Sequence, residues 1–331
     1  MVIRRASPPC MVASPEVRTI CYQARPERKL VEEYIVQVQP GDRERPPLLC
    51  IPPVGVGISR EFFSPLQREW AALGAPAEMH APDLLGCGYS SPKPRRFYTP
   101  ALWADQMLSY MSTALDRPAV LVVQGGLLPV ALEMWRRVGS GGIAGMSLIS
   151  PPPLAFFSPT ADAERGVRGR FRTKASGRGK QRAAWALSQS TAGGLFYRYL
   201  RAGDGLPRVR AFSERNLFAS ADAVDDEWMA MCAAGAADTR SRHATFSYLC
   251  GTIPGGVWRE DRSDLLASLD VPCQVLRGDV PKYAGERFVA FTDQVPKPSE
   301  CSLVAGGRSV LPYENARETA YKLKTYLDAN F

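Results

Sequence analysis

"AVLVVQGGLLPVALEMWRRV", residues 119–138, decides how this chain folds. Ala119 to Val123 are five apolar residues in a row, as expected of a strand covered on both faces of a parallel sheet. A Gln-Gly-Gly turn follows at 124–126, and the next twelve residues read as a helix. Pro129 stands in that helix's first turn, where its missing N–H does no harm. One strand, one tight turn and one helix make half of a crossover unit, so flanking units should repeat the pattern.

They do on both sides. "LVEEYIVQVQP" (30–40) reads as an edge strand and "PPLLCIPPVGVG" (46–57) as a buried one. "SREFFSPLQREWAALG" (59–74) is a helix with Ser59 as its cap, a closing glycine and Pro65 marking an early turn. "AEMHAPDLLGCGYSSP" (77–92) is a strand and then a glycine turn, and "TPALWADQMLSYMSTAL" (99–115) is a helix. "IAGMSLIS" (143–150) is the next strand. The rhythm predicts an α/β fold with a doubly wound, mostly parallel sheet. From 151 to 262 buried-strand runs stop and helices and loops dominate. Strands resume at "VPCQVLRGD" (271–279) and "CSLVAGG" (301–307), and a helix closes the chain. The expected organisation is therefore a core of 30–150 and 263–331 interrupted by a helical cap at 151–262. Residues 1–29 are expected to form a basic, flexible tail.

The 331 residues, 45% of them apolar and 22% charged, suffice for a sizeable core. No run approaches the length of a membrane span, and the start lacks the long apolar stretch of a secretory signal. Eight cysteines are scattered without a CxxC pair, and only two histidines accompany them. They read as reduced thiols, mostly small buried hydrophobes, and no metal or cofactor site is expected. Forty-one basic against 33 acidic residues leave a net charge of +8, unevenly placed. The opening "MVIRRASPPCMVASPEVR" has the composition of a transit-like segment, and 165–182 carries Arg165, Arg168, Arg170, Arg172, Lys174, Arg178, Lys180 and Arg182 without an acid. That second stretch reads either as a solvated loop or as a docking site for an acidic partner or surface. Its interleaved Arg, Gly and Phe171 also permit nucleic-acid binding, the weaker of these readings.

"DLLGCGYS" (83–90) resembles the D-x-x-G-x-G-x-S turn of the α/β-hydrolase superfamily, with Asp83, Gly86, Gly88 and Ser90 in the matching places. The resemblance extends over about 45–150 and 265–331, with the cap where such proteins carry one. It implies a nucleophile elbow G-x-S-x-G on a strand-to-helix turn. Laid on that pattern, Gln124, Gly125, Gly126, Leu127 and Leu128 fill the five places, so the nucleophile's position falls on Gly126. The acid's place falls on Pro281, with Asp279 two residues early, and the histidine's on Val310 in "GGRSVLPYE", where Leu311, Pro312 and Glu314 keep the family's look. The oxyanion region is altered too: Pro52 and Pro53 lack N–H donors, which leaves the amides of Val54 and Leu127. His80 reads as a core residue; His243 lies in the cap. Together with "LLCIPPVGVGISREFF", "LFYRYLR" and "AFSERNLF", these segments resemble a branch of hydrolase-like proteins from cyanobacteria and plastids whose elbow also lacks serine. That likeness implies a plastid setting; a cytoplasmic one is the alternative.

Three functions follow as expectations. The first is a catalytically silent fold that binds an apolar ligand beneath the cap, near Phe196, Tyr197, Tyr199, Phe212, Trp228, Phe246 and Tyr248, or serves as a subunit of a protein complex. The second is an atypical hydrolase or cofactor-free enzyme with chemistry moved to His243 and Asp279. The third is attachment of the basic stretch to an anionic partner, including peripheral contact with a membrane. A site stripped of its triad keeps an acceleration of only about 10³ to 10⁴ over water, so any esterase activity should be marginal.

Overall fold

The computed structural model describes residues 14–23, 30–152, 174–252, 256–259, 262–280 and 299–331. Its strands are β1 (Glu16–Tyr22), β2 (Glu32–Gln39), β3 (Leu48–Ile51), β4 (Met79–Pro82), β5 (Ala119–Gln124), β6 (Ile143–Ile149), β7 (Cys273–Gly278) and β8 (Ser299–Val304). They form one sheet in the order β1-β2-β4-β3-β5-β6-β7-β8. β2 pairs antiparallel with both β1 and β4, and every later pairing is parallel. The doubly wound, mostly parallel sheet read from the sequence is the sheet observed.

β1 departs from the expected tail. Val17 to Tyr22 pair residue by residue with β2, yet most of the strand is exposed. An edge strand held by backbone hydrogen bonds leaves little hydrophobic pattern to read.

β5 shows why an unbroken apolar run suits the centre of the sheet. All six of its residues are buried. Leu121 and Val123 face a layer containing Trp103, Met107 and Trp135, whereas Val120 and Val122 face one containing Phe62, Trp70 and Leu323. Side chains alternate along a strand, so a strand between two helical layers must be apolar on both faces. The first layer rests on α2 (Pro100–Tyr110) and α3 (Leu128–Gly142), and the second on α1 (Ser64–Ala72) and the last helix, α11 (Ala316–Asn330).

Between β6 and β7 lie the cap helices α4 (Lys174–Ser188), α5 (Thr191–Arg201), α6 (Pro207–Asn216), α7 (Asp226–Ala236) and α8 (Arg242–Gly251), then short α9 (Ser263–Ala267). The single turn α10 (Leu311–Glu314) precedes α11. The cap meets the core at a glycine crossing: a Cβ on Gly235 of α7 would strike the Gly57 carbonyl, and one on Gly57 the Cys232 carbonyl. Backbone touches backbone there.

The Asp83 turn is built from its own residues. Asp83 Oδ1 accepts from the Arg60 amide at 2.8 Å, and Oδ2 accepts from the Tyr89 amide and the Arg60 guanidinium, both at 3.1 Å. Burial pushes the carboxyl upward, and Arg60 opposes that. Gly86 and Gly88 have φ of +80° and +48°, and a Cβ on Gly88 would collide with the Asp83 carboxylate. Ser90 Oγ accepts from the Gly86 amide and donates to the Cys87 carbonyl, each at 2.8 Å. The turn needs these four residues for its shape.

Candidate functional site

In an open parallel sheet, ligands bind beyond the carboxyl ends of the strands. Here those ends and the cap enclose a cavity of about 500 Å³. Its floor is the loop after β3 (Pro53 to Val56), the turn after β5 (Gln124 to Gly126) and Ser150 after β6; Ser309 and Val310 form one side. The cap contributes Phe196 and Leu200 from α5, Val209 and Phe212 from α6, Trp228 and Cys232 from α7, and Thr245, Tyr248 and Leu249 from α8. Apolar side chains predominate.

The turn after β5 differs by one place from the alignment. Its left-handed residue is Gly125, at φ +55°, not Gly126. A nucleophile elbow is a strained strand-to-helix turn, and strain of this kind belongs to the left-handed residue, which is Gly125. Leu127, whose amide the sequence reading expected at the site, is buried and does not border the cavity, whereas Gly126 does. The two glycines also differ in space. A Cβ on Gly125 would meet only the Ser150 carbonyl, at 3.8 Å, whereas one on Gly126 would overlap Tyr248 Oη. A hydroxyl-bearing residue has room at Gly125 and is absent.

Beside the turn stands Gln124, 3% exposed, whose Nε2 donates to the Ser309 carbonyl at 2.5 Å. This bond ties the turn after β5 to the loop of Ser309 and Val310, where the sequence reading expected the histidine's place, and Val310 faces the cavity. Glu314 holds that loop: Oε1 accepts from the amides of Arg308 (2.7 Å), Ser309 (3.1 Å) and Val310 (3.3 Å), while Oε2 accepts from Ala219 of the cap at 2.8 Å. Glu314 thus fixes the loop that brings Val310 to the cavity. Val54, the other amide expected from the sequence, does border the cavity.

Neither histidine reaches the cavity wall. His80 is on β4, 2% exposed, with Nδ1 2.8 Å from the Tyr110 hydroxyl, and burial lowers it to about 4. His243 is buried on α8, where desolvation and then Arg242 lower it to about 4. Both are neutral at ordinary pH. Asp279 is exposed beyond β7, where its carboxylate accepts from the Gly306 amide at 2.8 Å. His243 and Asp279 are thus on separate elements, and neither borders the cavity. Pro281, Arg165, Arg168, Arg170 and Arg172 lie outside the described residues. Lys174 falls in α4, where Arg178, Lys180 and Arg182 are exposed.

Among the described residues no cluster of His, Cys, Asp and Glu could hold a metal ion, and no helix is long and apolar enough to cross a membrane. Of the aromatic residues expected under the cap, Phe196, Phe212, Trp228 and Tyr248 line the cavity; Tyr197 and Phe246 pack against each other, and Tyr199 is exposed. Sequence reasoning missed the Gln124–Ser309 tie and the Gly57–Gly235 crossing. Only the glycines themselves hinted at the second.

No family model matches the chain, and no curated protein matches it. Solved structures do. A bromoperoxidase from Bacillus anthracis superposes with a TM-score of 0.65 at 15% identity, over 91% of this chain and 97% of its own. A thermophilic esterase from Thermogutta terrifontis gives 0.63 at 17%, over 95% and 98%. A proline iminopeptidase from Mycobacterium smegmatis gives 0.60 at 19%, over 95% and 98%. With the strand order above, these place the chain in the α/β-hydrolase fold; at such identities they speak for the fold alone.

Proposed function

We propose that this protein is a catalytically silent α/β-hydrolase fold whose role is to bind an apolar small molecule beneath the cap. One observation carries the reading: the cavity of about 500 Å³ closes over a turn of two glycines, with Val310 facing it and no histidine on its wall. Nucleophilic acyl transfer needs a hydroxyl or thiol with a base in hydrogen-bond reach. Cys232, the one thiol among the described residues of the wall, is pushed up to about 12 by burial and so stays protonated. What the cavity offers is apolar area, worth about 25 cal/mol for each Å² of ligand surface it covers, and its size is within the usual range of small-molecule sites. The resemblance to a plastid and cyanobacterial branch supports a plastid location for this activity.

The test pairs binding with turnover. The purified protein is titrated with an environment-sensitive apolar fluorophore and assayed with p-nitrophenyl esters, alongside Gly126→Leu, which fills the cavity floor. Saturable binding that Gly126→Leu abolishes, with ester turnover equal in both proteins, is the expected outcome. Saturable hydrolysis present in the natural sequence and lost in Gly126→Leu would overturn the silent reading.

A further inference from the structure

Helices of a folded domain normally turn their apolar side inward, and α5 does the reverse. Its buried residues are Gly193 and Tyr197, while Leu195, Phe196 and Tyr199 are 57%, 51% and 54% exposed. Residues 195, 196 and 199 share one helical face, and Phe196 and Tyr199 stack with ring centroids 6.5 Å apart. Two neighbours extend the patch: Phe212 of α6 and Leu249 of α8 are 56% and 50% exposed. Phe196, Phe212 and Leu249 also line the cavity, so the patch adjoins it. Contiguous exposed apolar surface of this kind marks an interaction site.

The charge around the patch selects the partner. From Lys174 to Arg201 the chain carries six basic residues and no acidic one. Lys180, Arg182 and Arg198 are exposed, and among the described residues no carboxylate pairs with them. Arg198 lies within the apolar turn itself. An outward apolar face flanked by cations is the pattern of a helix lying in the interface of an anionic bilayer: aromatic and leucine side chains enter the acyl boundary while Arg and Lys meet the headgroups.

We propose that α5, with the adjoining ends of α6 and α8, docks this protein on an anionic membrane surface. So docked, the protein holds its cavity beside the lipid. That the cavity then takes its ligand from the bilayer rests on the binding function proposed above; the docking does not.

The test is co-sedimentation of the full chain with vesicles of phosphatidylglycerol and phosphatidylcholine, and with vesicles of phosphatidylcholine alone. Three proteins are compared: the natural sequence, Leu195→Asp with Tyr199→Asp, and Arg182→Glu with Arg198→Glu. None of these side chains borders the cavity, but Tyr199 stacks on Phe196 and lies under Arg208, which do; the fluorophore titration therefore serves as the folding control for the arginine variant, and far-UV circular dichroism for the other. Binding to the anionic vesicles, and a loss of about tenfold or more in each double variant, is expected, since each variant removes two inserted side chains or reverses two surface cations. Absence of vesicle binding by the natural sequence overturns the proposal. So does a dimer in lipid-free solution that Leu195→Asp with Tyr199→Asp dissociates, because the patch would then be a contact between copies. Failure of the fluorophore titration with vesicle binding intact would count against the cavity's function and leave the docking standing.

Discussion

At the scale of single residues, the molecule turns on two adjacent glycines with different constraints. Gly125 has room for a side chain and a backbone that resists one; Gly126 has an ordinary backbone and Tyr248 in the way. Gly125→Ala should therefore cost about 1–2 kcal/mol in urea unfolding through its left-handed φ, while fluorophore affinity is kept. Gly126→Ala should displace Tyr248 into the cavity and weaken the fluorophore by more than it lowers stability. Equal losses of affinity in the two variants would show that the turn does not divide in this way. Placing a hydroxyl there with Gly125→Ser should leave ester turnover low, because Val310 offers no base and neither histidine borders the cavity.

Between elements, the decisive contact is where α7 crosses the loop after β3. Gly235 and Gly57 allow backbones to touch, so Gly235→Ala forces the cap away from the sheet. A cost of about 1–3 kcal/mol is expected, as for other over-packed sites, together with faster proteolysis between β6 and β7. A digestion pattern unchanged from the natural sequence would mean that the cap is seated by other contacts. This crossing also shows where the sequence was legible and where it was not. β5 could be read because a strand buried on both faces must be apolar throughout, and the Asp83 turn because each of its four residues has a backbone reason to be there. β1 could not, since its stability lies in main-chain pairing with β2 and its side chains are mostly in solvent. The left-handed residue of the turn after β5 is Gly125 and not the expected Gly126, because two successive glycines give spacing no means of telling which carries the positive φ. The outward face of α5 was hidden for a related reason: helical spacing shows that Leu195, Phe196 and Tyr199 share a side, and only packing shows that the side faces water.

For the molecule as a whole, two buried neutral histidines set a dependence of stability on acid. His80 and His243 are each lowered to about 4, against about 6.5 in an unfolded chain. Between those values the unfolded chain binds protons that the folded one excludes, so stability is complete above about pH 6.5 and falls as pH drops towards 4. For His80 alone the loss between pH 7 and pH 5 is about 2 kcal/mol. His80→Gln separates this from the titration of carboxylates elsewhere. Its amide oxygen can accept from the Tyr110 hydroxyl, which now lies 2.8 Å from Nδ1, and it does not titrate. Urea unfolding at pH 8 should give the variant a stability near that of the natural sequence, and at pH 5 the variant should have lost about 2 kcal/mol less. Parallel pH curves would mean that His80 titrates in the fold as it does in the unfolded chain, which its desolvated place on β4 opposes, and would remove the neutral-histidine account of this domain's acid sensitivity.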